Sequence, residues 1–281
     1  MLKQRVITAL VLVVVFLFAL FYLPAAAFAL FAGAIILVAG WEWANLSGFE
    51  AAGSRLLYVG LLAAVLVAVA FHIQLLPDLF HSSPDGDRVF SWLLLGCGWW
   101  AFALLLVQGY PASSLLWGSR LLRALMGLLV LVPAWLAFSW VRFAPQGEWL
   151  VLLIVAIVAL ADIGGYFTGR RWGRRKLKPA VSPGKTWEGF LGGLFANILF
   201  ALIVWQLAGG SLVFWLLLVV PTSLVSVLGD LLESMVKRHR GIKDSSNLLP
   251  GHGGVLDRAD SLTAAAPVFA LALAASHGMG V

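Results

Sequence analysis

Asp230, Glu233 and Lys237 are spaced i, i+3 and i+7, and Asp257 and Asp260 stand three residues apart, so each set shares a face if its segment is helical. Carboxylates one turn apart can share a divalent cation. Hard oxygen donors without a histidine or cysteine cluster suit Mg²⁺, which takes one or two carboxylates together with substrate phosphates. The five histidines have no zinc-type spacing, and the single cysteine, Cys97, excludes an internal disulfide. Two basic, glycine-rich stretches, 169–188 and 237–260, accompany these acids. They carry Arg170, Arg171, Arg174, Arg175, Lys176, Lys178, Lys185, Lys237, Arg238, Arg240, Lys243 and Arg258, a set able to hold several phosphates. Pro250-Gly251-His252-Gly253-Gly254 adds small residues that let backbone amides approach an anion ahead of a helix N-terminus; a plain hinge is the competing reading. Together these residues suggest cation-assisted chemistry on a polyphosphate.

Two motifs argue for restraint. Gly184-Lys185-Thr186 looks like the end of a P-loop, but Pro179 stands where that loop needs its first glycine, and the sequence shows no strand before it. Lys185 and Thr186 remain phosphate-binding candidates in another geometry. Gly165 and Gly169 fit Gly-x-x-x-Gly, which signals close helix packing more often than a ligand.

The elements that must position these groups are membrane helices. Of 281 residues, 62% are hydrophobic and 11% charged, with mean hydropathy +0.97, against about 25% charged in soluble domains. That composition excludes a soluble globule, a disordered chain, a disulfide scaffold and an outer-membrane barrel. Apolar runs predict nine spans, at about 6–23, 25–41, 56–76, 90–108, 121–141, 149–168, 188–208, 211–232 and 260–276. The fold expected is an all-α polytopic membrane protein with spans of N-terminal helices in 1–145 and a catalytic region in 146–281. The first run, opened by Lys3 and Arg5 and followed by Ala25-Ala26-Ala27, has the outline of a signal peptide, but its length and the span that follows at once favour a membrane helix. An N-terminus in the cytoplasm puts every Lys and Arg except Arg88 and Arg142 on the inner side, while the outer loop with Asp78, Asp85 and Asp87 is acidic. The net charge of +6 and pI near 9.8 therefore report topology, with no nucleic acid implied as a partner. On this topology Asp162, Glu188, Asp230, Glu233, Asp257 and Asp260 all lie at cytoplasmic span ends, where ionisable groups are read as functional.

The run Ser234-Met235-Val236-Lys237-Arg238, then Lys243-Asp244, Ser246, Leu249-Pro250, His252-Gly253-Gly254 and Asp257-Arg258-Ala259-Asp260, closely resembles the signature of the phosphatidate cytidylyltransferases, the CDP-diacylglycerol synthases. Ala161-Asp162-Ile163-Gly164-Gly165-Tyr166 with Gly169-Arg170, and Ser182-Pro183-Gly184-Lys185-Thr186-Trp187-Glu188-Gly189, are similar to further blocks of that family. The motif-bearing part covers about residues 160–262; the first half is similar only as a series of spans. Ala259 departs from the larger aliphatic residue or threonine usual there, and Gly184 from the lysine of many members. Neither removes a charge from the Asp-Arg-x-Asp end, so they read as packing variation and a slightly weaker phosphate loop.

The resemblance implies a multi-span enzyme of phospholipid biosynthesis that converts CTP and phosphatidate to CDP-diacylglycerol and pyrophosphate. It implies dependence on Mg²⁺, alone or with a second cation, in the bacterial cytoplasmic (inner) membrane, with the active site facing the cytoplasm and membrane lipid around it; a homodimer is a candidate assembly that the sequence leaves open. On this reading Asp230, Asp257 and Asp260 hold the cation, with Asp244 as a further ligand. Lys185, Lys237, Arg238, Lys243 and Arg258 neutralise the triphosphate or lipid phosphate. His252 binds phosphate or protonates the departing pyrophosphate, unless it makes only a loop hydrogen bond. Asp162, Ser182, Thr186, Glu188, Gly253 and Gly254 complete the substrate site, Asp162 and Glu188 by orienting basic partners. Cytosine recognition rests on the resemblance alone, since no stacking residue stands out among 13 tryptophans.

Three rivals differ in testable ways. A transporter would place its carboxylates near mid-membrane among internal repeats, and no repeat is visible. A CTP-dependent polyprenol kinase would release CDP, and a cytidylyltransferase for another lipid would differ in acceptor. A scaffold calls for none of these charges.

Overall fold

The computed structural model describes residues 2–75 and 84–279, which leaves Asp78 outside the described residues. The elements run α1 (Leu2–Tyr22), α2 (Ala25–Ser47), α3 (Ala52–His72), α4 (Gly86–Gly109), a single turn α5 (Ser114–Trp117), α6 (Arg120–Phe143), α7 (Gly147–Trp172), β1 (Lys176–Lys178), β2 (Ser182–Thr186), α8 (Trp187–Ala208), α9 (Leu212–Arg240) and α10 (Leu256–Met279). Among the described residues nine helices are long and apolar enough to cross a membrane, one for each apolar run in the sequence. The protein is an all-α polytopic membrane protein.

The helices outrun the apolar stretches. Hydropathy marks the part that crosses hydrocarbon, but backbone hydrogen bonding continues until something stops it. For α2 and α9 the stop is a glycine in the left-handed region, Gly48 (φ 93°) and Gly241 (φ 68°). Glu42 therefore belongs to α2, Lys237 to Arg240 belong to α9, and Asp257 and Asp260 to α10. The two basic stretches expected as loops shrink to 173–186 and 241–255. The first contains an antiparallel hairpin, Lys176 opposite Thr186 and Lys178 opposite Ser182. β1 ends just before Pro179, contrary to the expectation of no strand before this segment, but Gly184-Lys185-Thr186 lies within β2 and runs straight into α8 without forming a phosphate-cradling loop.

Association of helices in lipid depends on close packing, which small residues permit. Gly165 and Gly169 of α7 lie over Gly189 of α8, Gly164 lies over Gly193, and Thr168 fills the space left at Gly192. Gly229 of α9 lets that helix touch the Asp260 carbonyl of α10. α6 and α10 are the most enclosed spans. α10 packs on α9, α6 and α4, so the regions 1–145 and 146–281 share one core, with Trp43, Trp100, Leu131, Leu136 and Phe269 fully buried. α1 lies on the flank against α2 and α7, its end tied by Arg142 to the carbonyls of Leu20 and Leu23 at 3.2 and 3.0 Å.

Candidate active site

The α7 end, the hairpin, the α9 end and the α10 start meet at one end of the bundle. The hairpin is held at both ends. Glu188, in the first turn of α8, accepts from the amides of Arg174 at 3.0 Å and Arg175 at 3.2 Å. Thr186 caps α8 through the Gly189 amide at 3.1 Å. Arg238 donates from Nε to the Val181 carbonyl at 3.2 Å, fastening the hairpin to α9. Glu188, Thr186 and Arg238 are thus positioning groups; Glu188 orients backbone amides, where basic side chains were expected. Ser182 sits on β2 opposite Lys178.

So anchored, β2 brings Lys185 Nζ to 2.5 Å from Asp230 Oδ2, while Asp230 Oδ1 accepts from Ser234 Oγ at 3.0 Å. Lys185 also lines a cavity of about 450 Å³ between α7, α8, α9 and the hairpin. Asp162, Tyr166, Arg170 and Thr186 form part of its wall; Phe190, Leu194 and Val227 make the rest apolar.

One turn or two along α9, Lys237 lies between helices. Its Nζ is 3.0 Å from Glu233 and 2.7 Å from Asp257, and its side chain is only 12% exposed. Asp257 is further saturated by the Ser245 amide and hydroxyl at 3.0 Å each and by the Gly254 amide at 2.7 Å. The Asp257 oxygens thus accept from protein donors and anchor the loop, just as the Asp230 oxygens meet Lys185 and Ser234, and Lys237 lies against two buried carboxylates.

At the α10 N-terminus, where the sequence left an anionic ligand and a plain hinge as alternatives, the protein supplies anions itself: Gly254 donates to Asp257, while Val255 and Leu256 donate to Glu42 at 3.0 and 2.7 Å. Glu42, 1% exposed, also accepts from Ser246 Oγ at 2.6 Å and lies 3.2 Å from Ser245 Oγ. Asn45 adds a bond to the Ser245 carbonyl at 3.1 Å. The expected span, about 25–41, left Glu42 just past its end, outside the candidate site residues. The available signal was a carboxylate between Trp41 and Trp43 in an apolar run.

Loop 241–255 folds back on itself through the Leu249–Gly253 bridge, with Gly251 (φ 75°) and Gly253 (φ 82°) in a conformation that other residues rarely adopt. A Cβ on Gly253 would lie 2.6 Å from Asp257 Oδ2. The loop walls a polar cavity of about 730 Å³ lined by Lys243, Asp244, Asn247, His252, Arg258 and, from α1, Arg5. Arg258 donates to the His252 carbonyl at 3.1 and 2.9 Å, and His252 Nδ1 has no partner among the described residues. Arg5 was not among the expected site residues, having been read only as a topological charge.

The donor set also fits a hard divalent cation. Asp230 and Asp260 repel each other across the α9–α10 crossing, and among the described residues the Asp260 carboxylate accepts one hydrogen bond, from the adjacent Ser261 amide at 2.7 Å. No three His, Cys, Asp or Glu side chains converge as a ligand set among the described residues. Two carboxylates are what Mg²⁺ uses when phosphates and water complete its shell.

Known proteins match this chain over nearly its whole length. The model of the "Cytidylyltransferase family" matches residues 3–276. A phosphatidate cytidylyltransferase of Pseudomonas aeruginosa is 48% identical over 276 residues, 97% of each chain. One from Haemophilus influenzae is 40% identical over 96% of this chain and 97% of its own, and one from Brucella suis 36% identical over 96% and 92%. With the helix count, the signature loop and the match from end to end in agreement, the chain belongs to the cytidylyltransferase family.

Proposed function

We propose that the chain transfers the cytidylyl group of CTP to phosphatidate, yielding CDP-diacylglycerol and pyrophosphate, at the cytoplasmic face of a bacterial inner membrane. One observation carries the reading: the hairpin, α9 and the signature loop, separate in sequence, gather Lys185, Asp230, Asp260, Lys243, His252 and Arg258 at one bundle end. The similar bacterial proteins named for this activity support it.

In the reaction a phosphatidate phosphate oxygen bonds to the α-phosphorus of CTP while the bond from that phosphorus to the β-phosphate bridging oxygen breaks. A phosphomonoester with its second pKa near 6 is largely dianionic at pH 7, so no strong base is needed. The protein's task is positioning and charge neutralisation. Lys243, Arg258 and His252 line the polar cavity, which suits a triphosphate, and His252 is the group there able to bind a phosphate oxygen or pass a proton to the leaving group. Lys185, Arg170 and the apolar wall of the smaller cavity suit a phosphate carried on a lipid. Mg²⁺, when bound, supplies positive charge to the triphosphate and the leaving pyrophosphate, with Asp230 and Asp260 as the residues that would hold it.

The test is turnover of the purified protein with phosphatidate, Mg²⁺ and α-labelled CTP. Label in the organic phase together with pyrophosphate in the aqueous phase is expected, and EDTA should stop both until Mg²⁺ is restored. Release of CDP would indicate a kinase, and a folded preparation yielding neither product would end the proposal. Asp230→Asn should lower turnover at least about 100-fold, the scale of a lost charge-stabilising group. Near-wild-type turnover would remove Asp230 from the cation site.

A further inference from the structure

Arg123, in the first turn of α6, is 5% exposed, yet its Nε has no acceptor among the described residues. The same holds for Nε of Arg240, the last residue of α9. The two guanidinium groups close on a single point: a Cβ built on Gly48 would lie 3.3 Å from Arg123 Nη2 and 3.5 Å from both Cζ and Nη1 of Arg240. Arg120 adds to the repulsion on Arg123. The compensation is slight. Among the described residues no carboxylate pairs with Arg123, and Glu50, at 3.8 Å from Arg240, has a side chain 79% exposed.

Several carbonyls at the end of α2 are served by other groups, and among the described residues neither arginine donates to any of them. The amides of Gly48 and Phe49 serve the Asn45 and Ala44 carbonyls, and Arg55 Nε donates to the Phe49 carbonyl at 2.8 Å. A buried cation without a partner, as at Arg123, is costly, and Arg240, with its side chain 24% exposed, adds a second positive charge beside it over Gly48. We propose that Arg123 and Arg240, over Gly48, form an anion site for a phosphate group, separate from the candidate active site. The guanidinium fork matches phosphate oxygens in pairs. The site lies where α2 ends and α3 and α6 begin, at the level where apolar spans give way to polar chain. The phosphate can therefore belong to an anionic phospholipid headgroup or to free phosphate.

The experiment measures thermal unfolding of the full chain in nanodiscs of phosphatidylcholine alone or with phosphatidylglycerol, and separately in phosphatidylcholine discs titrated with inorganic phosphate. The wild type should gain stability from at least one anion. A response to phosphatidylglycerol alone assigns the site to lipid, and a response to phosphate alone assigns it to the free anion. Because loss of Arg123 can unfold the start of α6, the partly exposed Arg240 carries the test. Arg240→Gln should weaken the response at least about tenfold. Arg240→Glu, which hands Arg123 a carboxylate within the protein, should melt higher than the wild type without added anion and lose the response. Equal responses in wild type and Arg240→Gln, or no response of the wild type to either probe, would overturn the proposal.

Discussion

Lys237 sits between Glu233 and Asp257, whose side chains are 2% and 7% exposed. Removing the lysine strands two carboxylates in a medium that solvates them poorly. Lys237→Met should cost about 3–5 kcal/mol of stability, the usual result of breaking a buried pair from one side. Adding Glu233→Gln should return part of it in denaturant unfolding of the detergent-solubilised protein; an equal loss in the single and double variants would refute the counter-ion role. Glu42 poses a related case at the start of α10. Glu42→Ala leaves the Val255 and Leu256 amides and the Ser246 hydroxyl without their acceptor, a loss on the order of 3 kcal/mol. Glu42→Gln, which keeps an acceptor oxygen, should lose less. Because Glu42 touches the loop and lines neither cavity, the Gln variant should raise KM for CTP with little change in kcat. An unaltered KM would confine Glu42 to a role in stability.

At the scale of elements, the α7–α8 pair decides where the hairpin sits, because the hairpin leaves one helix and enters the other within a few residues. A Cβ at Gly192 would collide with the side chain of Thr168. Gly192→Ala should therefore spread the pair, at about 1–3 kcal/mol for overpacking, and draw Lys185 away from Asp230 with a loss of turnover. Thr168→Ala in the same chain removes the Oγ1 and Cγ2 part of the collision and should restore some of both, as read by melting and product formation. Failure of the second substitution to help would separate the hairpin from this crossing. The Gly165 and Gly169 pattern was legible beforehand as close packing, since only small residues allow it. The hairpin was not legible, because Lys176 to Thr186 is short and polar and carries no alternation of apolar residues to mark a strand.

For the whole molecule, the distribution of basic residues predicts that the signature loop faces the cytoplasm. In a Cys97→Ser background, a membrane-impermeant thiol reagent applied to intact cells should label Asp87→Cys and leave Lys243→Cys unlabelled until the membrane is opened. The reverse pattern would invert the topology and move the polar cavity proposed for CTP to the wrong compartment. The packing of α10 on α4 and α6 bears on the same scale. The regions 1–145 and 146–281 share one core, and the N-terminal spans contribute Glu42 to the loop and Arg5 to the polar cavity.

The sequence by itself determined the nine spans, the sidedness expected of them and the family, because hydropathy, charge bias and a long signature are written in local order along the chain. It also named most of the charged residues that gather at one bundle end. What only the tertiary structure decided is which charge meets which. Lys237 and Asp257 neutralise each other, Lys185 reaches Asp230 across the hairpin, and Glu42 reaches the α10 amides from more than two hundred positions away. Residue types tell that such groups need partners, but in a membrane bundle the partner is chosen by helix crossings, which small residues permit without specifying.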